Sequence, residues 1–159
     1  MKTLIVYASK SGYSRECALR IASGLAEGAD VADVKIDAFR KDLSLYDTVI
    51  LGGGIRAGRI SGNLRRYCTK NKTRLANKRI GLFLCGTDPD NRGKVFDANF
   101  PTELLDKATE KGWFGGRIVF SEQKGIMRFI LKKIVKGEHD VHAEQPKAVE
   151  DFIAAIEAI

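Results

Sequence analysis

The stretch TLIVYASKSGYSRECA, residues 3–18, decides the fold. It begins with an apolar run, passes through Ser9-Lys10-Ser11-Gly12-Tyr13-Ser14, and continues into a segment where Ala18, Ile21, Ala22 and Leu25 share one helical stripe. A short run rich in Val, Ile and Leu reads as a strand buried on both faces of a sheet. The helix is predicted over 15–27 with Ser14 as its cap. Between them, a hydroxyl-rich turn leading into a helix N-terminus forms an anion cradle. Backbone N–H groups point inward, the helix dipole favours negative charge, and Ser9, Ser11 and Ser14 donate further hydrogen bonds. A phosphate is the ligand this arrangement suits.

The same alternation continues outward. Apolar runs at 31–36, 47–52, 80–85 and 115–120 predict four more strands, and 62–75, 102–111 and 146–158 predict helices between and after them. Strands alternating with helices predict an α/β fold, a five-stranded parallel sheet with helices on both faces, in one domain over 1–159. One segment is surplus, an insert at about 121–143 containing GIMRFILKKIVKG. On a helical wheel Ile126, Met127, Ile130, Leu131, Ile134 and Val135 share one face, opposite Arg128, Lys132, Lys133 and Lys136. Two readings stand: an apolar face packed on the domain, or peripheral membrane contact through 124–137.

Composition bounds the function. With 159 residues, 44% apolar and 30% charged, the chain has the profile of a soluble domain. No run reaches the roughly 20 apolar residues of a membrane span. Leu4–Tyr7 is too short for a secretory signal core, so a cytoplasmic protein is expected. Cys17, Cys68 and Cys85 lack CxxC spacing and suit a reducing compartment better than disulfides or zinc. No metal is expected: His139 and His142 in EHDVH lack helical ligand spacing and read as an exposed polar loop. Cys85 reads as a buried structural thiol, and Trp113 as core packing. The net charge of +7 is concentrated, with nine Lys or Arg and no acid between Arg56 and Arg79. Such a surface attracts phosphates, carboxylates or anionic lipid. Few aromatics accompany it and no nucleic-acid motif is present, so nucleic acid is not expected as a partner.

In a doubly wound sheet, ligands sit beyond the carboxyl ends of the strands, where strand order reverses. No GxxxxGK[ST] motif exists, which excludes a P-loop hydrolase. Gly52-Gly53-Gly54-Ile55-Arg56-Ala57 nominally fits a dinucleotide fingerprint, yet it follows the third strand and lacks an acidic residue about 20 positions on. It reads instead as a glycine loop whose backbone approaches a flat ring. Cys85-Gly86-Thr87-Asp88-Pro89 supplies the opposite wall.

Strand, Ser9-x-Ser11-Gly12-x-Ser14 and Ala18 on the helix resemble the flavodoxin phosphate-loop signature, and the later strand and loop pattern resembles flavodoxins over the whole chain. The resemblance implies a flavodoxin-like doubly wound sheet of order 2-1-3-4-5 and non-covalent FMN. Ser9, Lys10, Ser11, Gly12, Tyr13 and Ser14 would bind the phosphate. Gly53, Gly54, Ile55 and Arg56, with Gly86, Thr87 and Asp88, would border the isoalloxazine. Ser14 stands where Thr is usual, and neither flavin-facing loop carries the Trp or Tyr that commonly sandwiches the ring in electron-shuttle flavodoxins. Within the superfamily, Gly54-Ile55-Arg56-Ala57-Gly58, Thr73-Arg74-Leu75 and the insert with Gly137-Glu138-His139-Asp140 are similar to the quinone-dependent protoporphyrinogen oxidase branch. That likeness implies an FMN-dependent oxidoreductase acting on a porphyrinogen, with a quinone acceptor at the inner face of the membrane. No side-chain acid or base can be named for it. The alternative is an electron-shuttle flavodoxin, against which the basic charge and the missing aromatic sandwich argue. Arg56, Arg59 and their neighbours are expected to make the flavin potential less negative than in acidic flavodoxins.

Overall fold

The computed structural model describes residues 1–118, 125 and 141–158. Five parallel strands form the sheet: β1 (Thr3–Ala8), β2 (Asp30–Asp33), β3 (Thr48–Gly54), β4 (Arg79–Cys85) and β5 (Ala108–Trp113). Their order is β2-β1-β3-β4-β5, as expected for a flavodoxin-like sheet. Alternation along each strand splits the core in two. Leu4, Val6, Val49, Leu51, Ile80, Leu82 and Leu84 face a layer with α2 (Gly62–Lys70), α3 (Lys72–Leu75), α4 (Arg92–Asn99) and α5 (Thr102–Lys107). Ile5, Tyr7, Ile50 and Phe83 face α1 (Tyr13–Gly24) and α6 (Pro146–Glu157).

Several boundaries differ from the sequence reading, each for a local reason. The second strand stops at Asp33 because the Asp33 carboxylate accepts the Lys35 N–H at 2.7 Å and turns the chain, leaving Ile36 exposed. Asn71 divides the helix expected over 62–75, its amide donating to the Tyr67 carbonyl at 3.0 Å. Ser14 does not cap α1. It is buried within the first turn, and Gly12, at φ 93°, takes the cap position without a side-chain capping bond.

The largest correction concerns the fifth strand. The sheet takes Ala108–Trp113 rather than 115–120, and the helix expected over 102–111 ends at Lys107. ATEKGW is polar at its start, which an edge strand tolerates because one flank meets solvent. Burial alternates from Ala108 to Lys111 and becomes complete at Gly112 and Trp113. The expected strand begins instead a separate antiparallel ribbon, β6 (Gly115–Ile118) with β7 (Val141–Glu144). His142 therefore lies on a strand rather than in a loop. The amphipathic helix read into the insert lies outside the described residues, as does His139.

Phe114 joins the ribbon to the sheet. Its fully buried ring stacks on Phe83 at 5.2 Å between centroids and meets the edge of Phe152 at 5.4 Å. Its carbonyl accepts both the Gln145 N–H at 2.9 Å and the Tyr13 hydroxyl at 2.7 Å. Truncating Phe114 to Ala should cost about 3–5 kcal/mol of unfolding free energy, measurable by urea denaturation. A cost below about 1 kcal/mol would show that the ribbon is not packed this way.

Candidate functional site

Stepping from β1 out to β2 and back across β1 to β3 sends α1 and α2 to opposite faces of the sheet. A crevice opens beyond the carboxyl ends of β1 and β3, as doubly wound topology requires. Here it is a cavity of about 800 Å³, within the range of cofactor sites at roughly 300–1,000 Å³.

Three loops line it. Ser9, Lys10, Ser11, Tyr13 and Ser14 come from the turn after β1. The first backbone bond of α1 runs from Glu16 N–H to the Gly12 carbonyl, 3.0 Å, so the amides of residues 13–15 precede the helical ladder. Ser9 Oγ accepts the Gly12 N–H at 3.1 Å and holds the turn closed. Gly54, Ile55 and Arg56 line the second wall, and Gly86, Thr87 and Asp88 the third. The Ile55 N–H donates to the Cys85 carbonyl at 2.8 Å, and the Gly86 N–H to that of Gly115 at 2.8 Å, extending the sheet pairing into these loops.

Of the thirteen residues expected at the site, Gly12 and Gly53 are not on the cavity surface. Gly53 serves strand packing: a Cβ there would lie 2.8 Å from the Ala8 carbonyl oxygen. Gly12 serves the positive-φ entry to the helix.

Beyond Ala57, Gly58 and Arg59, already singled out in the sequence, the structure adds residues that sequence reasoning missed. The second wall continues from Ala57 through Asn63. Arg56 and Arg59 exchange both backbone hydrogen bonds, at 2.9 and 3.0 Å, around Ala57 (φ 49°) and Gly58 (φ 73°). This is a two-residue hairpin turn with both central residues left-handed. Buried Asn99 fastens it. Its amide donates to the carbonyls of Gly58 and Val95, each at 2.8 Å, while its oxygen accepts the Ile60 N–H at 2.9 Å. Trp113, only 7% exposed, also lines the cavity. Its ring lies where a Cβ on Gly86 would come within 2.8 Å, so only glycine fits above it. Its indole Nε1 is buried with no hydrogen-bond acceptor among the described residues. An aromatic wall is therefore present, delivered by a strand end rather than by either loop.

The electrostatics are one-sided. Lys10, Lys35, Arg56, Arg59 and Arg117 line the cavity, with Asp88 the single acid among the lining residues. Burial lowers the pKa of the Arg56 guanidinium from its ordinary value. Arg117 pairs with Glu16 through two bonds of 2.6 and 3.0 Å and lies over the Tyr13 ring at 5.5 Å, so the ribbon clasps the start of α1.

This is the switch-point site expected of a phosphate-bearing ligand, and the comparisons agree on the fold that carries it. A family model described as "Flavodoxin domain" matches residues 4–144. The chain belongs to the flavodoxin domain family. Protoporphyrinogen IX dehydrogenase (quinone) from Escherichia coli strain K12 is 28% identical over 157 residues, covering 91% of this chain and 86% of that protein. Oxidised flavodoxin 1 from Bacillus cereus superposes with a TM-score of 0.59 at 14% identity, covering 100% of this chain and 99% of that one. Rubredoxin oxygen:oxidoreductase from Desulfovibrio gigas gives 0.54 at 15% identity, and this flavodoxin domain spans only 37% of that longer chain. Among the described residues no helix is long and apolar enough to cross a membrane, and no cluster of metal-ligating side chains occurs.

Two substitutions test the hairpin. Asn99→Ala removes one buried and two part-buried hydrogen bonds to backbone and should cost about 2–3 kcal/mol. Ala57→Gly relieves left-handed strain of about 1–2 kcal/mol against a glycine entropy cost of about 0.4–1 kcal/mol, so it should stabilise the domain by up to about 1.6 kcal/mol. Thermal or urea unfolding reads both, and a destabilised Ala57→Gly would contradict the turn geometry.

Proposed function

We propose that this flavodoxin domain binds FMN in the switch-point cavity and oxidises a porphyrinogen, passing the electrons to a quinone. The observation that carries the reading is the α1 N-terminus. It has no side-chain cap, faces a cavity of cofactor size, and is flanked by the hydroxyls of Ser9 and Ser11 and the amine of Lys10. Such an end is built to receive an anion.

On this reading Ser9, Lys10, Ser11, Tyr13 and Ser14 hold the phosphate, with Gly12 turning the chain into the helix. Gly54 to Arg56 and Gly86 to Asp88 border the isoalloxazine, with Trp113 beneath Gly86. When bound, FMN supplies a ring that accepts two electrons and gains negative charge on reduction. Arg56 and Arg59, presented on a turn that Asn99 locks, place positive charge beside that ring and favour its reduced form. The basic rim also suits a substrate bearing carboxylates, since cationic side chains form charge-assisted hydrogen bonds with propionates. The acceptor is assigned on the 28% likeness to the E. coli enzyme.

Replacing Arg56 and Arg59 together by Gln should lower the two-electron potential of bound flavin by at least about 30 mV, equivalent to about 1.4 kcal/mol. A redox titration with no shift would remove these side chains from the account. Anaerobic assay with protoporphyrinogen and a menaquinone analogue should give turnover above the protein-free rate. Tight FMN binding without turnover would favour a carrier instead.

A further inference from the structure

Two buried thiols from separate elements meet beside the cavity, Cys85 on its lining and Cys17 against Cys85. Cys17 lies in the second turn of α1 and Cys85 is the last residue of β4, 68 positions later. The Cys85 thiol donates to the Cys17 sulfur at 3.9 Å, and the two side chains are 5% and 3% exposed respectively. Bonded sulfurs stand at about 2.05 Å, so closure asks for roughly 2 Å of approach. Cys85 lines the cavity, which gives a small oxidant a way in. Cys68 is different: it lies in the opposite core layer, makes no sulfur–sulfur hydrogen bond among the described residues, and burial pushes its pKa up to about 12.

We propose that Cys17 and Cys85 are a peroxide-oxidised dithiol that closes to a reversible disulfide beside the cavity. Cys17 is the attacking sulfur: the hydrogen bond from Cys85, with a smaller contribution from Tyr13, lowers its pKa against the opposing effect of burial. Its thiolate attacks one peroxide oxygen, the O–O bond breaks, and water leaves, giving a sulfenic acid on Cys17. The Cys85 sulfur then attacks that sulfur, the S–O bond breaks, and a second water leaves. Two thiols thus lose two electrons and two protons, and one hydrogen peroxide becomes two waters. The new bond ties α1, which follows the 9–14 turn, to the strand end that leads into Gly86–Asp88. The chemistry does not depend on the flavin reading. The functional meaning of joining those two walls does.

The test uses the purified full chain, with and without FMN, exposed to hydrogen peroxide, then denatured and alkylated. Alkylatable thiols should fall from three to one, the intact mass should fall by about 2 Da before alkylation, and peptide mapping should link Cys17 to Cys85 with Cys68 free. Dithiothreitol should restore all three. In Cys85→Ser the second step is blocked, and dimedone should label Cys17. Three alkylatable thiols after peroxide in folded, FMN-binding protein would overturn the inference, as would a link through Cys68. A Cys17–Cys85 link in protein that binds no FMN would uphold the dithiol and overturn the flavin reading instead.

Discussion

Reversal of strand order between β1 and β3 is the constraint from which the rest of the molecule follows. Because α1 and α2 leave the sheet on opposite faces, neither can cover the ends of the two central strands, and backbone amides are left facing a crevice. The requirement is strict at close range. A Cβ on Gly53 would meet the Ala8 carbonyl oxygen at 2.8 Å, so β1 and β3 can pair to their ends only with glycine there. The same glycine run that permits this pairing then supplies the backbone wall of the cavity.

A crevice made by topology still needs its walls fixed, and long-range polar contacts do that. The Phe114 carbonyl gathers Tyr13 of the first helix and Gln145 at the start of the last. Asn99 spends both amide N–H donors and one oxygen lone pair on the hairpin carrying Arg56 and Arg59 and on its own helix. Arg117 grips Glu16 from the ribbon. Basic side chains stand around the cavity these contacts shape, with Asp88 the single acid among its lining residues. The proposed flavin and a carboxylate-bearing substrate both suit that field.

Much of the fold was legible because its signals are local. Sixteen contiguous residues hold the first strand, turn and helix, and β3 and β4 are central strands whose apolar runs can mean little else. The fifth strand escaped because ATEKGW is an edge strand, half polar by nature, while the more apolar GGRIVF drew the assignment. Ser14 was misread as a cap because hydroxyl residues favour that position, whereas Gly12 takes it through a positive φ that composition does not reveal. Eleven of the thirteen residues singled out by the turn signature and the glycine runs line the cavity, because those signals are local. Trp113, Asn99 and Arg117 were not recognised as site residues, since their roles arise from contacts across 27 or more positions, as Trp113 under Gly86 and Asn99 on Gly58 illustrate. Cys85 read as a buried structural thiol, and it is buried, but nothing near it in the chain announces its contact with Cys17.

The central claim is that the turn at 9–14 grips a phosphoryl group, and the most direct measurement compares two ligands that differ by that group alone. Titration of the apoprotein with FMN and with riboflavin, followed by quenching of flavin fluorescence, gives both values of Kd. FMN should bind at least about 100-fold more tightly, a difference of about 2.7 kcal/mol. Equal affinities would place the binding energy elsewhere and contradict the account.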